Sequence, residues 1–296
     1  MHTSVLLKEV VSGLSPKKGG LYVDGTLGDG GHSEALCRAS SGKATIIGID
    51  QDSGSIAAAK KKLSGLSCKF HFAEENFRNL DRVMDSLGYG EADGIILDLG
   101  LSSRQLEDSG RGFSFQRRDE PLLMTFKKNP NGDDLSAREI LEEWDEENIA
   151  DIIFAYGEEK RAKKIARAIT EWRQSKKFET TGDLLDAIEK AIPKRGRIHP
   201  ATKTFQALRM AVNDEWRALQ EGLKKGLLRL KTRGRMAVIT FHSVEDREVK
   251  KFYKEKEREG KAVLINKKVI TPKKEELLLN KRVRSAKLRV IEKIKN

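Results

Sequence analysis

The sequence predicts an α/β fold: a parallel sheet with helices on both faces, carrying an inserted helical domain. Two observations predict it. Between Leu21 and Asp98, short apolar runs ending in a carboxylate alternate with helical patterns. From Asp98 to Met236 the periodicity is helical.

The elements follow in order. Leu21-Tyr22-Val23-Asp24 is the first strand and Ile46-Ile47-Gly48-Ile49-Asp50 the second. Cys68 to Ala73 is a weaker third, and Ile95-Ile96-Leu97-Asp98 is the fourth. A helix over Ser55 to Leu63 follows a cap at Asp52. In the long gap, Ser136-x-x-Glu139 is a capping box. Ala162, Ile165, Ala166 and Ile169 keep the spacing of a buried helical stripe. Their neighbours Lys160, Arg161, Lys163, Lys164 and Arg167 form a basic face, either solvated or touching nucleic acid. Leu184, Leu185, Ile188 and Ile192 form another stripe, ended by Pro193. Phe205, Leu208, Val212, Trp216, Leu219, Leu223 and Leu227 predict one long helix. Met236 to Phe241 is the fifth strand, and Val263–Ile265 and Leu288–Ile291 are the last.

Charge and composition narrow the classes. The 57 Lys+Arg against 45 Asp+Glu leave a formal net charge of +12, which suits a polyanion such as RNA or DNA, or a solubilising surface. A 38% hydrophobic content is enough for a sizeable core. No apolar stretch approaches the roughly 20 residues of a membrane span, and Met1 to Val10 lacks the pattern of a secretion signal. Cys37 and Cys68 have no metal spacing. They read as buried thiols of a reduced, cytoplasmic protein, and no metal is expected.

The stretch VDGTLGDGGHSEAL, Val23 to Leu36, places Gly25, Gly28, Gly30 and Gly31 between a strand and a helix. Such a turn lets a ligand approach the backbone closely. The third glycine of a dinucleotide fingerprint would fall at Ser33, and no Gly-Lys-Ser/Thr follows for a P-loop. Asp50 ends the second strand, where an acid can accept hydrogen bonds from ribose hydroxyls. A nucleoside ligand without phosphates, such as S-adenosylmethionine (AdoMet), would use the turn and this acid and need no phosphate-binding lysine. Asp98 would then face its adenine or methionine end.

Longer motifs carry a resemblance. They include Asp24-Gly25-Thr26-Leu27-Gly28-x-Gly30-Gly31-His32-Ser33, Gly48-Ile49-Asp50-x-Asp52 and Leu97-Asp98-Leu99-Gly100-x-Ser102-Ser103-x-Gln105-Leu106. Further on stand Arg111-Gly112-Phe113-Ser114-Phe115, Tyr156-Gly157-Glu158-Glu159, His199-Pro200-Ala201-Thr202-x-Thr204-Phe205-Gln206 and Phe241-His242-Ser243-x-Glu245-Asp246-Arg247. In this order, over nearly the whole chain, they resemble the bacterial ribosomal RNA small subunit methyltransferase H family, also called RsmH or MraW. The resemblance implies a class I AdoMet-dependent methyltransferase (Rossmann-like) sheet with an inserted helical substrate-recognition domain. It implies N(4)-methylation of one cytidine in the decoding region of small-subunit rRNA. The expected domains are 1–108 with 208–296 for AdoMet and 109–207 for the insert.

The family's cofactor contacts carry over onto Gly30, Gly31, His32, Asp50, Phe77, Asp98 and Gln105. Phe77 offers a flat apolar face to adenine. Asp98 and His242 are the candidate acceptors for the amine proton. Lys203, Arg209, His242, Arg282 and Arg284 are candidate RNA contacts. The expected partner is small-subunit rRNA or the small ribosomal subunit, with no membrane; a homodimer is compatible with the sequence. Two departures stand out. Pro121-Leu122-Leu123-Met124-Thr125-Phe126-Lys127 lacks two acids and an arginine usual in the family, and Asn280-Lys281-Arg282-Val283-Arg284-Ser285 departs at Lys281 and Val283 while the two arginines and the serine survive. Two alternatives stay open: a methyltransferase acting on another nucleic acid or on protein, and an rRNA-binding assembly factor with vestigial AdoMet binding.

Overall fold

The computed structural model describes residues 4–107, 109–192 and 199–295. They form two compact units: residues up to Gly100 with those from Arg217 on, and Leu101–Trp216. The divisions therefore fall at 100 and 216, not at the expected 108 and 207.

The first unit begins with α1 (Leu7–Leu14), β1 (Leu21–Asp24), α2 (Gly31–Ala39), β2 (Thr45–Asp50) and α3 (Ser53–Leu63). Next come β3 (Lys69–Glu74), a 3-10 turn (Phe77–Asn79), α4 (Leu80–Ser86) and β4 (Ala92–Asp98). The second unit holds α5 (Ser103–Glu107), α6 (Ala137–Glu143), α7 (Glu146–Ala155), α8 (Ala162–Arg173), α9 (Thr181–Ala191) and α10 (Ala201–Val212). The chain returns through α11 (Glu215–Arg229) to β5 (Leu230–Thr240), α12 (Ser243–Arg258), β6 (Ala262–Leu264), α13 (Lys274–Leu279) and β7 (Lys287–Lys293).

The strands lie in the order β3-β2-β1-β4-β5-β7-β6. Among the described strands β7 alone runs opposite to the rest, pairing antiparallel with β5 and with β6. This is the sheet of a class I methyltransferase. Alternate residues explain why helices cover both faces. Val23, Ile47, Ile95, Leu97, Met236 and Val238 join one buried cluster, while Tyr22, Ile46, Ile96, Ala237 and Ile239 join another. Period-two alternation with both sets apolar requires cover on each side. β1 continues into β2 and β3 on one flank, and β4 starts the other flank. The order thus reverses between β1 and β4, where such sheets bind ligands beyond their carboxyl ends.

The second unit is helical, around its own core of Ile140, Leu141, Ile153, Ile165, Ile169, Leu184, Ile188 and Leu208. The capping box at Ser136 and Glu139 closes in both directions, and Thr180 with Asp183 makes a second one. The departing segment after Pro121 belongs to this core. Leu122 and Met124 are fully buried, and Asn213 holds the segment by accepting from the Phe126 N–H (2.7 Å) and donating to the Met124 carbonyl (2.7 Å). Lys127 pairs with Asp134.

Two expectations are corrected. The long helix of Phe205 to Leu227 is broken into α10 and α11, because Asp214 takes a left-handed conformation (φ +47°). The Asn213 side chain also bonds the Arg209 carbonyl at 2.8 Å, closing the end of α10. Cys37 and Cys68 are not reduced thiols but a disulfide: the end of α2 and the start of β3 bring their Cα atoms to 5.8 Å. Among the described residues no helix is long and apolar enough to cross a membrane.

Candidate active site

The glycine turn after β1 is built by the acids around it. Gly28 has φ +49°, and its N–H donates to Asp50 Oδ2 at 2.8 Å. The other Asp50 oxygen accepts the Asp52 N–H at 2.8 Å. Burial is the main cause that lifts the Asp50 pKa from 3.8 to about 6, against the two amide bonds that lower it. Each oxygen keeps a lone pair beyond its amide contact, so the group can still accept from a ligand's hydroxyls.

Gly30 takes a left-handed conformation (φ +79°). A side chain there would enter the protein, 3.2 Å from Ala59 Cβ and 3.1 Å from Leu63 Cδ1 of α3, not the ligand's space. Gly31 likewise faces Ser4. Both glycines let the start of α2 pack closely on its neighbours.

At the ends of β1 and β4 two acids flank His32. Asp24 is fully buried, accepts the Ser33 hydroxyl at 2.7 Å, and has its pKa raised chiefly by burial. Asp98 Oδ2 lies 3.4 Å from His32 Nε2, without hydrogen-bond geometry. Thr26, which the sequence reading passed over, accepts the Asp98 N–H through its hydroxyl at 2.6 Å and fixes the end of β4. The signal for it was its place inside Asp24-Gly25-Thr26, directly after the strand. Both ring nitrogens of buried His32, and Asp98 Oδ1, have no hydrogen-bond partner among the described residues. Buried polar groups are rarely left so. A polar ligand with charged ends would satisfy them. Phe77 supplies the apolar component: its Cβ lies beside Gly25, and its ring packs so closely on Gly222 of α11 that a Cβ there would be 2.6 Å away. This donor set fits a nucleoside with an amino-acid end.

Gln105 is in the second unit, where it is buried and its amide oxygen accepts the Ser102 N–H at 2.9 Å. His242 follows β5 and caps α12: its Nδ1 accepts the Glu245 N–H at 3.4 Å, and its Nε2 lies 3.1 Å from Glu245 Oε1. Glu245 in turn accepts the Phe241 N–H at 2.9 Å, a reciprocal cap that only the spacing His242-x-x-Glu245 foreshadows. Lys203 donates to the Glu158 carbonyl at 2.7 Å. Arg209 makes two bonds to the Glu215 carboxylate, at 2.7 and 2.9 Å, with both side chains largely buried. Arg284 is exposed, and the Arg282 side chain lies outside the described residues.

The model of the MraW methylase family matches residues 1–294. The chain belongs to the MraW methylase family. Within it, the relative from Heliobacterium mobile named "Ribosomal RNA small subunit methyltransferase H" is 44% identical, over 99% of each chain. One of the same name from Clostridium botulinum (strain Kyoto / Type A2) is 43% identical, again over 99% of each chain. Among solved structures, a putative rRNA-methylase from Clostridium thermocellum aligns over 99% of this chain and 100% of its own, at 14% identity and a TM-score of 0.49, too distant to bear on function. MraW family membership is thus carried by the whole length of the chain.

Proposed function

We propose that this protein transfers the methyl group of AdoMet to the N(4) amine of a cytidine in the decoding region of small-subunit rRNA, in the cytoplasm. The observation that carries the reading is the corner at the carboxyl ends of β1 and β4, where His32 and Asp98 hold buried polar atoms without partners. Membership of a methylase family along the whole chain supports it, as does the name of the relatives it matches.

Asp50 would accept the ribose hydroxyls, His32 would meet the amino-acid end, and Phe77 would cover the adenine. When bound, AdoMet supplies a sulfonium methyl already activated for transfer. The residues then have two tasks: to align the amine and to take its proton. The cytosine amine is a poor nucleophile, because its lone pair is delocalised into the ring. Asp98 would accept a hydrogen bond from it through the open Oδ1 and receive the proton as the new C–N bond forms. Thr26 keeps that carboxylate in place through the backbone of β4. His242 is the second candidate: its Nδ1 serves α12, and its Nε2, 3.1 Å from Glu245 Oε1, makes no hydrogen bond among the described residues. The insert would supply RNA recognition.

The test is methyl transfer from labelled AdoMet to small subunits taken from cells lacking this gene, followed by mass spectrometry of the nucleosides. N(4)-methylcytidine at one decoding-region site is expected. Label on another base, on DNA or on protein would replace the substrate assignment. AdoMet binding without any transfer would instead point to an assembly factor.

A further inference from the structure

Lys163, Lys164 and Arg167 stand on the first turns of α8, Lys160 lies in the turn just before it, and all four are exposed. The opposite side of the helix, Ala162, Ile165, Ala166 and Ile169, is buried in the core of the second unit. The basic side is thus fixed outward by packing.

These four cations make no ion pair among the described residues, in contrast to other cations of the unit. Arg118 pairs with Asp186, Lys176 with Asp183, Arg209 with Glu215 and Arg161 with Glu159. Like charges at this spacing repel one another. They also oppose the helix dipole, because the first turn of α8 holds no acid. Folding gains nothing from such a row, and a polyanion would relieve it. Glu146 of α7 accepts the Thr170 hydroxyl at 3.1 Å, towards the far end of α8.

A second feature stands at the end of the preceding helix. Phe154, in the last turn of α7 where the chain bends towards α8, is 63% exposed. Its neighbour Ile153 is fully buried, so the ring is held outward by the helix, not by disorder. Exposed aromatics beside basic side chains suit unpaired bases, which stack on them while phosphates meet the cations.

We propose that the α7–α8 corner is a docking surface for a single-stranded or looped RNA segment, with phosphates along Lys160, Lys163, Lys164 and Arg167 and a base on Phe154. This rests on the reading of the protein as an rRNA methyltransferase and names the surface that would hold its substrate.

The experiment uses the full chain and a small-subunit RNA fragment containing the decoding region. Binding is followed by fluorescence anisotropy across a salt series, with AdoMet binding by calorimetry as a control. The variant carrying K160Q, K163Q, K164Q and R167Q should bind RNA at least tenfold more weakly at low salt. Its slope against log salt should be shallower by about 3, as expected for four lost single-strand phosphate contacts. F154A should weaken RNA binding by about tenfold with the wild-type slope. Both should bind AdoMet as the wild type does, which separates a lost contact from misfolding. Wild-type RNA affinity and slope in the neutralised variant, with methylation intact, would overturn the docking surface and leave the functional reading standing. A wild-type protein that neither binds nor methylates the RNA would overturn both. Equal weakening towards vesicles of anionic lipid would also overturn it, because the row would then be a general anion surface.

Discussion

Two histidines stand at the carboxyl ends of neighbouring parts of the same sheet, and their surroundings differ. His32 is buried with neither ring nitrogen hydrogen-bonded among the described residues. His242 is nearly as buried, but its Nδ1 caps α12 and its partner Glu245 caps the strand end in return. A buried polar group without a partner costs about 1–3 kcal/mol. Such a cost persists where a ligand removes it. Both His32 nitrogens are open in this way, whereas His242 is tied at Nδ1 and only its Nε2 lacks a hydrogen-bond partner among the described residues; we therefore propose the ligand at His32 and a joint of the fold at His242.

The largest effect that would test this contrast is on Asp98. With saturating AdoMet, Asp98→Asn should lower turnover about a hundredfold or more, since a positioned proton acceptor contributes roughly 10²–10⁴-fold. Single-turnover transfer at the wild-type rate would remove Asp98 from the proton's path. Asp50→Ala comes next. Losing an acceptor for two hydroxyls should weaken AdoMet binding by about one to two orders of magnitude, with the fold intact. Calorimetry on the two proteins decides it.

The pH dependence should be smaller and has a definite sign. The Asp50 carboxyl is raised to about 6, so lowering the pH through that value protonates it and weakens AdoMet binding. Stability should move the other way. Between about 6 and 3.8 the folded chain keeps a proton that the unfolded chain has lost, so this group favours folding increasingly as pH falls. Asp50→Asn should flatten the binding profile, and a titration unchanged by that substitution would exclude Asp50 as its source. The smallest effect is at His242. His242→Ala should cost about 1 kcal/mol as a lost helix cap and leave AdoMet affinity and turnover near wild type. A large fall in turnover with an unchanged melting temperature would reverse the contrast and place His242 in the chemistry.

Local sequence carried much of this. The strands announce themselves by alternation and by Asp24, Asp50 and Asp98 at their ends, and Asp52 and Ser136 cap the helices that their types and spacing predict. What it could not carry depends on residues far apart in the chain. Phe205 to Leu227 keeps its period across the break at Asp214, because the apolar spacing is met by two helices as well as by one. The ring of Phe77 finds Gly222, and a side chain at Gly30 would find Ala59, only once the sheet is assembled. Arg209 reads as a free cation until Glu215 is placed against it after the turn at Asn213–Asp214.

The bond between Cys37 and Cys68 spans a sequence separation of 31. It encloses β2, Asp50 and α3 in one covalent ring. Closing a ring of that length restricts the unfolded chain by about 3–4 kcal/mol in the chain-entropy description. A protease that cuts once inside the ring, as at the exposed Lys60–Lys61 bond, would leave the two pieces tethered. They would run as one band on a gel without reductant and as two with it, with Asp50 still attached to the turn it supports.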